Sequence, residues 1–129
     1  MAEGKGRIII PADAEVWPHE SRCAKTLATL GYTVEFMRRT EGDGVKSADI
    51  QMNGAVWEIK SPETSNVKAL QRVLRRAGRQ SPNVIIDTVR ATKLSDDAIL
   101  REIRRLAPLT KSVKRILVVT KSGSVVDIG

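Results

Sequence analysis

The chain has 129 residues, 41% of them apolar and only 3% aromatic, so a core can form but aliphatic side chains must fill it. No apolar run approaches the roughly 18 residues a membrane span needs, and no signal-peptide pattern opens the chain. The single cysteine, Cys23, excludes an internal disulfide and all-cysteine zinc sites. The net charge of +7 is unevenly divided: residues 1–60 hold 8 Lys/Arg against 9 Asp/Glu, and residues 61–129 hold 14 against 6. A near-neutral half joined to a basic half suits a polyanionic partner, with a merely basic protein as the plainer alternative.

Residues 1–7 are rich in Gly, Lys and Glu and are expected to fray. Arg7–Pro11 is a β-branched run stopped by proline, either an edge strand or a packed lead-in. Proline at the first helical position predicts a helix from Pro18 to just before Gly31, burying Cys23, Ala24, Leu27 and Leu30 along one stripe. Glu20, in its first turn, either answers the helix dipole or supplies a carboxylate to a site. His19 reads as solvent-facing, and Cys23 as a small core residue, not a nucleophile. Tyr32–Met37 alternates as a half-buried strand. Arg38–Ser47 (RRTEGDGVKS) lacks phosphate-loop spacing and is expected to be a mobile loop beside the next element, with Asp43 solvated.

Residues 48–60 carry the strongest local signal. Asn53-Gly54 between two alternating stretches predicts a two-residue hairpin, with Met52 facing Ala55, Ile50 facing Trp57 and Asp49 facing Glu58. One face is then apolar (Ala48, Ile50, Met52, Ala55, Trp57, Ile59), and the other holds Asp49, Gln51, Val56, Glu58 and Lys60. Two carboxylates directly opposite each other repel, and a divalent cation with Lys60 beside it is the most economical compensation.

Ser61-Pro62 ends the strand. Ser65 or Asn66 can cap a helix running to about Gln80, in which Val67, Leu70, Val73, Leu74 and Ala77 share one side. Lys68, Arg72, Arg75, Arg76 and Arg79 cluster almost opposite. Solvated helix faces normally mix signs, so a face of cations alone reads as a phosphate-backbone contact, with a purely solvated face as the alternative. Val84–Val89 reads as a buried strand. Ser95 caps a further helix whose Asp96, Asp97, Arg104 and Arg105 complement its dipole. Arg115–Thr120 and Val125–Ile128 read as strands across a Lys121–Ser124 turn. The whole is expected to be one α/β domain over residues 1–129, a mixed central sheet flanked by helices.

Asp49, Glu58 and Lys60 have the chemistry of a metal-dependent hydrolytic site. Carboxylates are the ligands Mg²⁺ prefers, and a lysine two residues along a strand from Glu58 projects beside it to orient water or neutralise phosphate. Glu-x-Lys alone is a weak pattern and gains force from the opposed Asp49 and the basic helix that follows. Helix, three strands with Asp on the second and Glu-x-Lys on the third, then helix and strand, resembles the PD-(D/E)XK nuclease superfamily. ADIQMNGAVWEIKSPET followed by QRVLRRAGRQSPNVIID is similar to the C-terminal tRNA-nuclease toxin domains of contact-dependent growth inhibition systems.

The resemblance implies a restriction-endonuclease-like αβββαβ core and a site in which Asp49, Glu58 and Glu20 bind Mg²⁺ or Mn²⁺ and Lys60 is catalytic. It sets Gln80 on a recurrent glutamine, and it favours tRNA as substrate, with DNA the competitor. It also brings in a cognate immunity protein as partner and action in a bacterial cytoplasm after delivery. Ala48 stands where the superfamily has proline, which is not a ligand. Residues 1–17 are too short for a delivery region, so the expectation is an excised toxin domain or a small free-standing protein. Trp17, Tyr32, Phe36 and Trp57 are the only aromatics, and Phe36 and Trp57 read as core, which points to recognition of folded shape and backbone over single-stranded readout. A DNA endonuclease of phage or repair type, a non-catalytic nucleic-acid-binding module on the same fold, and an interaction protein without nucleic-acid affinity are the other readings.

Overall fold

The computed structural model describes residues 6–12, 14–37 and 49–128. The loop expected at Arg38–Ser47, Asp43 within it, and Ala48 lie outside the described residues. Among the described residues seven strands pair in the order in which they occur: β1 (Ile8–Ile9), β2 (Val34–Phe36), β3 (Ile50–Met52), β4 (Ala55–Lys60), β5 (Asn83–Asp87), β6 (Arg115–Val119) and β7 (Val125–Asp127). Of the two readings left open for Arg7–Pro11, the edge strand is the observed one.

β2, β3 and β4 form an antiparallel meander, and β7 runs antiparallel to β6. The pairs β1–β2, β4–β5 and β5–β6 are parallel and need crossovers. Helices α1 (Pro18–Thr29), α2 (Leu70–Gly78) and α3 (Asp96–Leu106) supply them. The run α1-β2-β3-β4-α2-β5 is the αβββαβ order expected. No described helix is long and apolar enough to cross a membrane.

The sheet separates two apolar layers. Cys23, Ala24 and Leu27 of α1 pack on Phe36, Ile50, Met52, Trp57, Ile59 and Ile85. On the other side Leu70, Leu74 and Ala77 of α2 and Ile99, Ile103 and Leu106 of α3 pack on Val84, Ile86, Ile116 and Val118. Strand β5 therefore buries side chains on both faces, which is why its sequence reads as a continuous apolar run. Asn66 caps the second helical segment by accepting the Lys68 N–H at 2.9 Å. Its first turn, Val67–Ala69, is a tight 3-10 turn before α2 proper.

The Asn53-Gly54 turn has positive φ at both residues, 52° and 78°, as a type I′ hairpin requires. The register is as expected for Ile50 with Trp57 and Met52 with Ala55. Beyond Trp57, however, β4 changes neighbour. Ala55, Val56 and Trp57 pair with β3, whereas Glu58, Ile59 and Lys60 pair with β5. Each half is thus left with one open edge, whose backbone groups need other partners. On the β5 side, Ser81 Oγ and the Asn83 amide donate to the Val56 carbonyl at 2.9 and 3.0 Å. On the β3 side, the Ile59 N–H donates to the Asp49 carboxylate at 2.9 Å.

Candidate active site and basic groove

The open edge of β4 places the site. Asp49 does not continue the ladder opposite Glu58; its N–H donates to the Trp57 carbonyl at 3.0 Å while its carboxylate takes the Ile59 N–H. This one-residue slip, of the kind a β-bulge makes, corrects the expected face-to-face pair. It still leaves the Asp49 carboxylate beside Glu58, whose pKa it raises.

Glu58 is 3% exposed. Its partner in β5 is Val84, so the carboxylate projects on the sheet face covered by α2 and α3. Lys60 Nζ lies 3.1 Å from Glu58 Oε2, whereas the buried Oε1 is met by no donor, and the neighbouring Asp49 carboxylate can pair with Glu58 only when one of the two is protonated. Burial first, then the Asp49 charge, push the Glu58 carboxyl up to about 7 against the pull of Lys60. Such a group is desolvated and under-neutralised.

An open cleft of about 280 Å³ joins these side chains to others: Trp17, His19, Glu20, Asp49, Glu58, Ile59, Lys60, Ser61 and Gln80 line it. Glu20, Asp49, Glu58, Lys60 and Gln80, far apart in sequence, therefore share one space. Glu20 is buried, and its Oε1 accepts the Trp17 N–H at 3.1 Å, so this residue both caps α1 and lines the cleft. The two readings of Glu20 are compatible. Among the described residues no three His, Cys, Asp or Glu side chains form a group that could hold a metal ion by themselves. Asp49 and Glu58 both line the cleft, and the Asp49 charge acts directly on Glu58. One or two protein carboxylates with waters completing the shell is the usual provision for Mg²⁺.

Three neighbours were not legible as site residues. His19, expected in solvent, is half-buried and lines the cleft. Asp87, the last residue of β5, is 2% exposed and accepts the Val89 N–H at 3.1 Å. Burial raises its pKa, and Val89, Arg22, Ser61 and His19 oppose the rise. The signal for Asp87 was present, one acid at the end of an otherwise apolar strand. Trp17 is 50% exposed at the cleft wall. Cys23 is a core residue as expected: burial, then the charges of Asp87, Glu20 and Asp49, raise its thiol far from a reactive range.

The family described as the contact-dependent growth inhibition CdiA C-terminal domain matches residues 46–125. The chain belongs to that family. A chain of the solved CdiA-CT/CdiI toxin and immunity complex from Burkholderia pseudomallei has the same fold, with a TM-score of 0.73 at 21% identity over 95% of this chain and 98% of that one. No curated protein matches the chain. The part matched to the CdiA C-terminal domain holds Asp49, Glu58, Lys60, Gln80 and all of α2, while Trp17, His19 and Glu20 precede it.

In this CdiA C-terminal domain the outer face of α2 is an open groove lined by Lys68, Arg72, Arg75, Arg76 and Arg79. All five are exposed, and α2 has no acid in its first turn to pair with them. Arg76 also lines a small depression with Lys60, Ser61, Pro62 and Val73. The cationic surface therefore runs from α2 to the mouth of the carboxylate cleft.

Proposed function

We propose that the domain is a divalent-metal-dependent endonuclease of the PD-(D/E)XK type, acting on tRNA as a growth-inhibition toxin. The observation that carries this reading is the buried Glu58 carboxylate, with one oxygen lacking a partner, beside Asp49 and Lys60 at the end of a cationic groove. Mg²⁺ or Mn²⁺ held by Asp49 and Glu58, with Glu20 supporting from α1, would supply Lewis-acid activation of water and screening of phosphate charge.

The protein's own groups do the rest. The exposed cations of α2 bind the phosphate backbone and set its register. Lys60 orients the attacking water or neutralises the scissile phosphate, and Glu58 holds the lysine's ammonium in place at 3.1 Å. Gln80 offers the cleft an amide for a phosphate or ribose oxygen. Phosphate contacts carry no information on sugar type, so DNA remains the competing substrate. A cognate immunity protein is the expected partner, as in the Burkholderia pseudomallei complex, and the site of action is the cytoplasm of a bacterium reached by delivery.

The test is digestion of total RNA and plasmid DNA in parallel, with Mg²⁺ or with chelator, followed by sequencing of the new ends. Discrete, chelator-sensitive cuts in tRNA support the reading. If both nucleic acids stay intact with Mg²⁺ and with Mn²⁺, the domain is a binding module at most.

A further inference from the structure

The cleft has an aromatic wall that the hydrolytic chemistry does not use. Three of the four aromatic side chains are committed elsewhere. Phe36 and Trp57 are buried in the core, and Tyr32 packs against it. Trp57 also donates its indole N–H to the Met52 carbonyl at 3.2 Å and carries the Arg115 guanidinium 4.9 Å from its ring centre. Among the described residues Trp17 has none of these commitments. It is half exposed although it adjoins a helix, and it lines the same cleft as Asp49, Glu58 and Lys60.

Its backbone is tightly held. The Trp17 N–H donates to Glu20 Oε1, its carbonyl accepts the Ser21 N–H at 3.0 Å, and Pro18 restricts the bond that follows. The indole is thus a large flat surface on a fixed mount, in the same cleft as the reacting groups and not among the residues that line the α2 groove. A surface of that kind has one ready use beside a phosphodiester site: the face of a nucleobase.

We propose that Trp17 is a nucleobase-stacking subsite, taking a base next to the scissile phosphate. This rests on the nuclease reading above and names its substrate more narrowly. A base stacked on Trp17 cannot stay stacked within a duplex, so the cut falls in a loop, bulge or end of a folded RNA. The α2 groove then recognises shape and backbone, and Trp17 selects an unpaired nucleotide.

The test uses the Glu58→Gln domain, so that RNA survives, titrated with a single-stranded RNA of about 12 nucleotides and with the duplex of the same sequence. Tryptophan emission is recorded together with the anisotropy of labelled RNA. The single strand should quench the emission and the duplex should not, and Trp17→Phe should remove the change while Trp57 still emits. In the Glu58→Gln background Trp17→Ala should weaken single-strand binding roughly 5- to 100-fold, with Trp17→Phe recovering most of it. The α1 cap at Trp17 uses the backbone N–H, so both variants should fold, which circular dichroism checks. Binding without quenching, or unchanged affinity in Trp17→Ala, overturns the subsite and leaves the indole to a protein partner. Absence of all RNA binding overturns the nuclease reading with it, whereas intact cleavage of tRNA by a Trp17→Ala domain overturns the subsite alone.

Discussion

Asp96 and Glu58 are both acids held at the sheet, and the fold treats them oppositely. Asp96 accepts from Thr88 Oγ1 at 2.8 Å, from the Lys121 N–H at 3.1 Å, and lies 3.5 Å from Lys121 Nζ. Burial alone would raise its pKa, but those bonds outweigh burial and lower it. Glu58 keeps one ion pair, loses the neighbouring strand that could have paired its surroundings, and is raised to about 7. Asp96 ties together the end of β5, the start of α3 and the turn into β7. Glu58 is left with one ion pair and a buried oxygen that accepts no hydrogen bond, at the wall of the cleft. A carboxylate whose bonds are closed is structure; one whose bonds are left open at a cleft is a candidate site.

The sharpest way to separate the two is to neutralise each. Glu58→Gln or Lys60→Ala should abolish cleavage, a loss of about 100-fold or more. In Glu58→Gln thermal unfolding should stay unchanged or rise slightly because the repulsion with Asp49 is relieved, whereas Lys60→Ala strips the buried Glu58 of its ion pair and should lower it. A collapse in the melting temperature of Glu58→Gln would make Glu58 a structural acid like Asp96. Next in size, joint neutralisation of Arg72, Arg75 and Arg79 should weaken RNA binding about tenfold or more and flatten its salt dependence, read from affinity against ionic strength. Unchanged binding would assign that face to solvent or to an inhibitory partner.

Asp96→Ala should do the reverse of Glu58→Gln. Loss of its bonds should cost about 2–3 kcal/mol of unfolding free energy, measured by denaturant titration, with cleavage per folded molecule unchanged. The smallest effect is on pH. The Glu58 pKa is raised in the folded state, from 4.5 to about 7, so the folded protein binds the extra proton and stability falls as pH rises through that window. The metal-free domain should lose roughly 1–2 kcal/mol between pH 5 and 7 through this group, and Glu58→Gln should remove that slope.

Much of this contrast could be read from the chain. Asn53-Gly54 fixed a turn because both residues tolerate positive φ, and period-two alternation then named the buried and polar faces of the hairpin. The cationic face of α2 was equally legible, since helical spacing puts Lys68, Arg72, Arg75 and Arg79 together whatever the rest of the fold does. Local pattern could not show that β4 trades β3 for β5 after Trp57, because that depends on residues 83–87 arriving from across a helix. The slip of Asp49 onto Trp57 and the bare edge it repairs follow from that exchange. His19 and Trp17 escaped for the same reason: a first-turn residue has no stripe to belong to until the sheet edge it meets is known. Asp96 shows the converse, where the dipole explained its presence but not its contacts with Thr88 and Lys121.

The central claim is that the unpartnered oxygen of Glu58 is a cation's place. Thermal unfolding of the domain at pH 7 against increasing Mn²⁺, beside Glu58→Gln and Asp49→Ala, tests it most directly. Saturable stabilisation of the unaltered domain, lost in both variants, is the predicted result. An unfolding temperature indifferent to Mn²⁺, or one that rises equally in all three proteins, would contradict it.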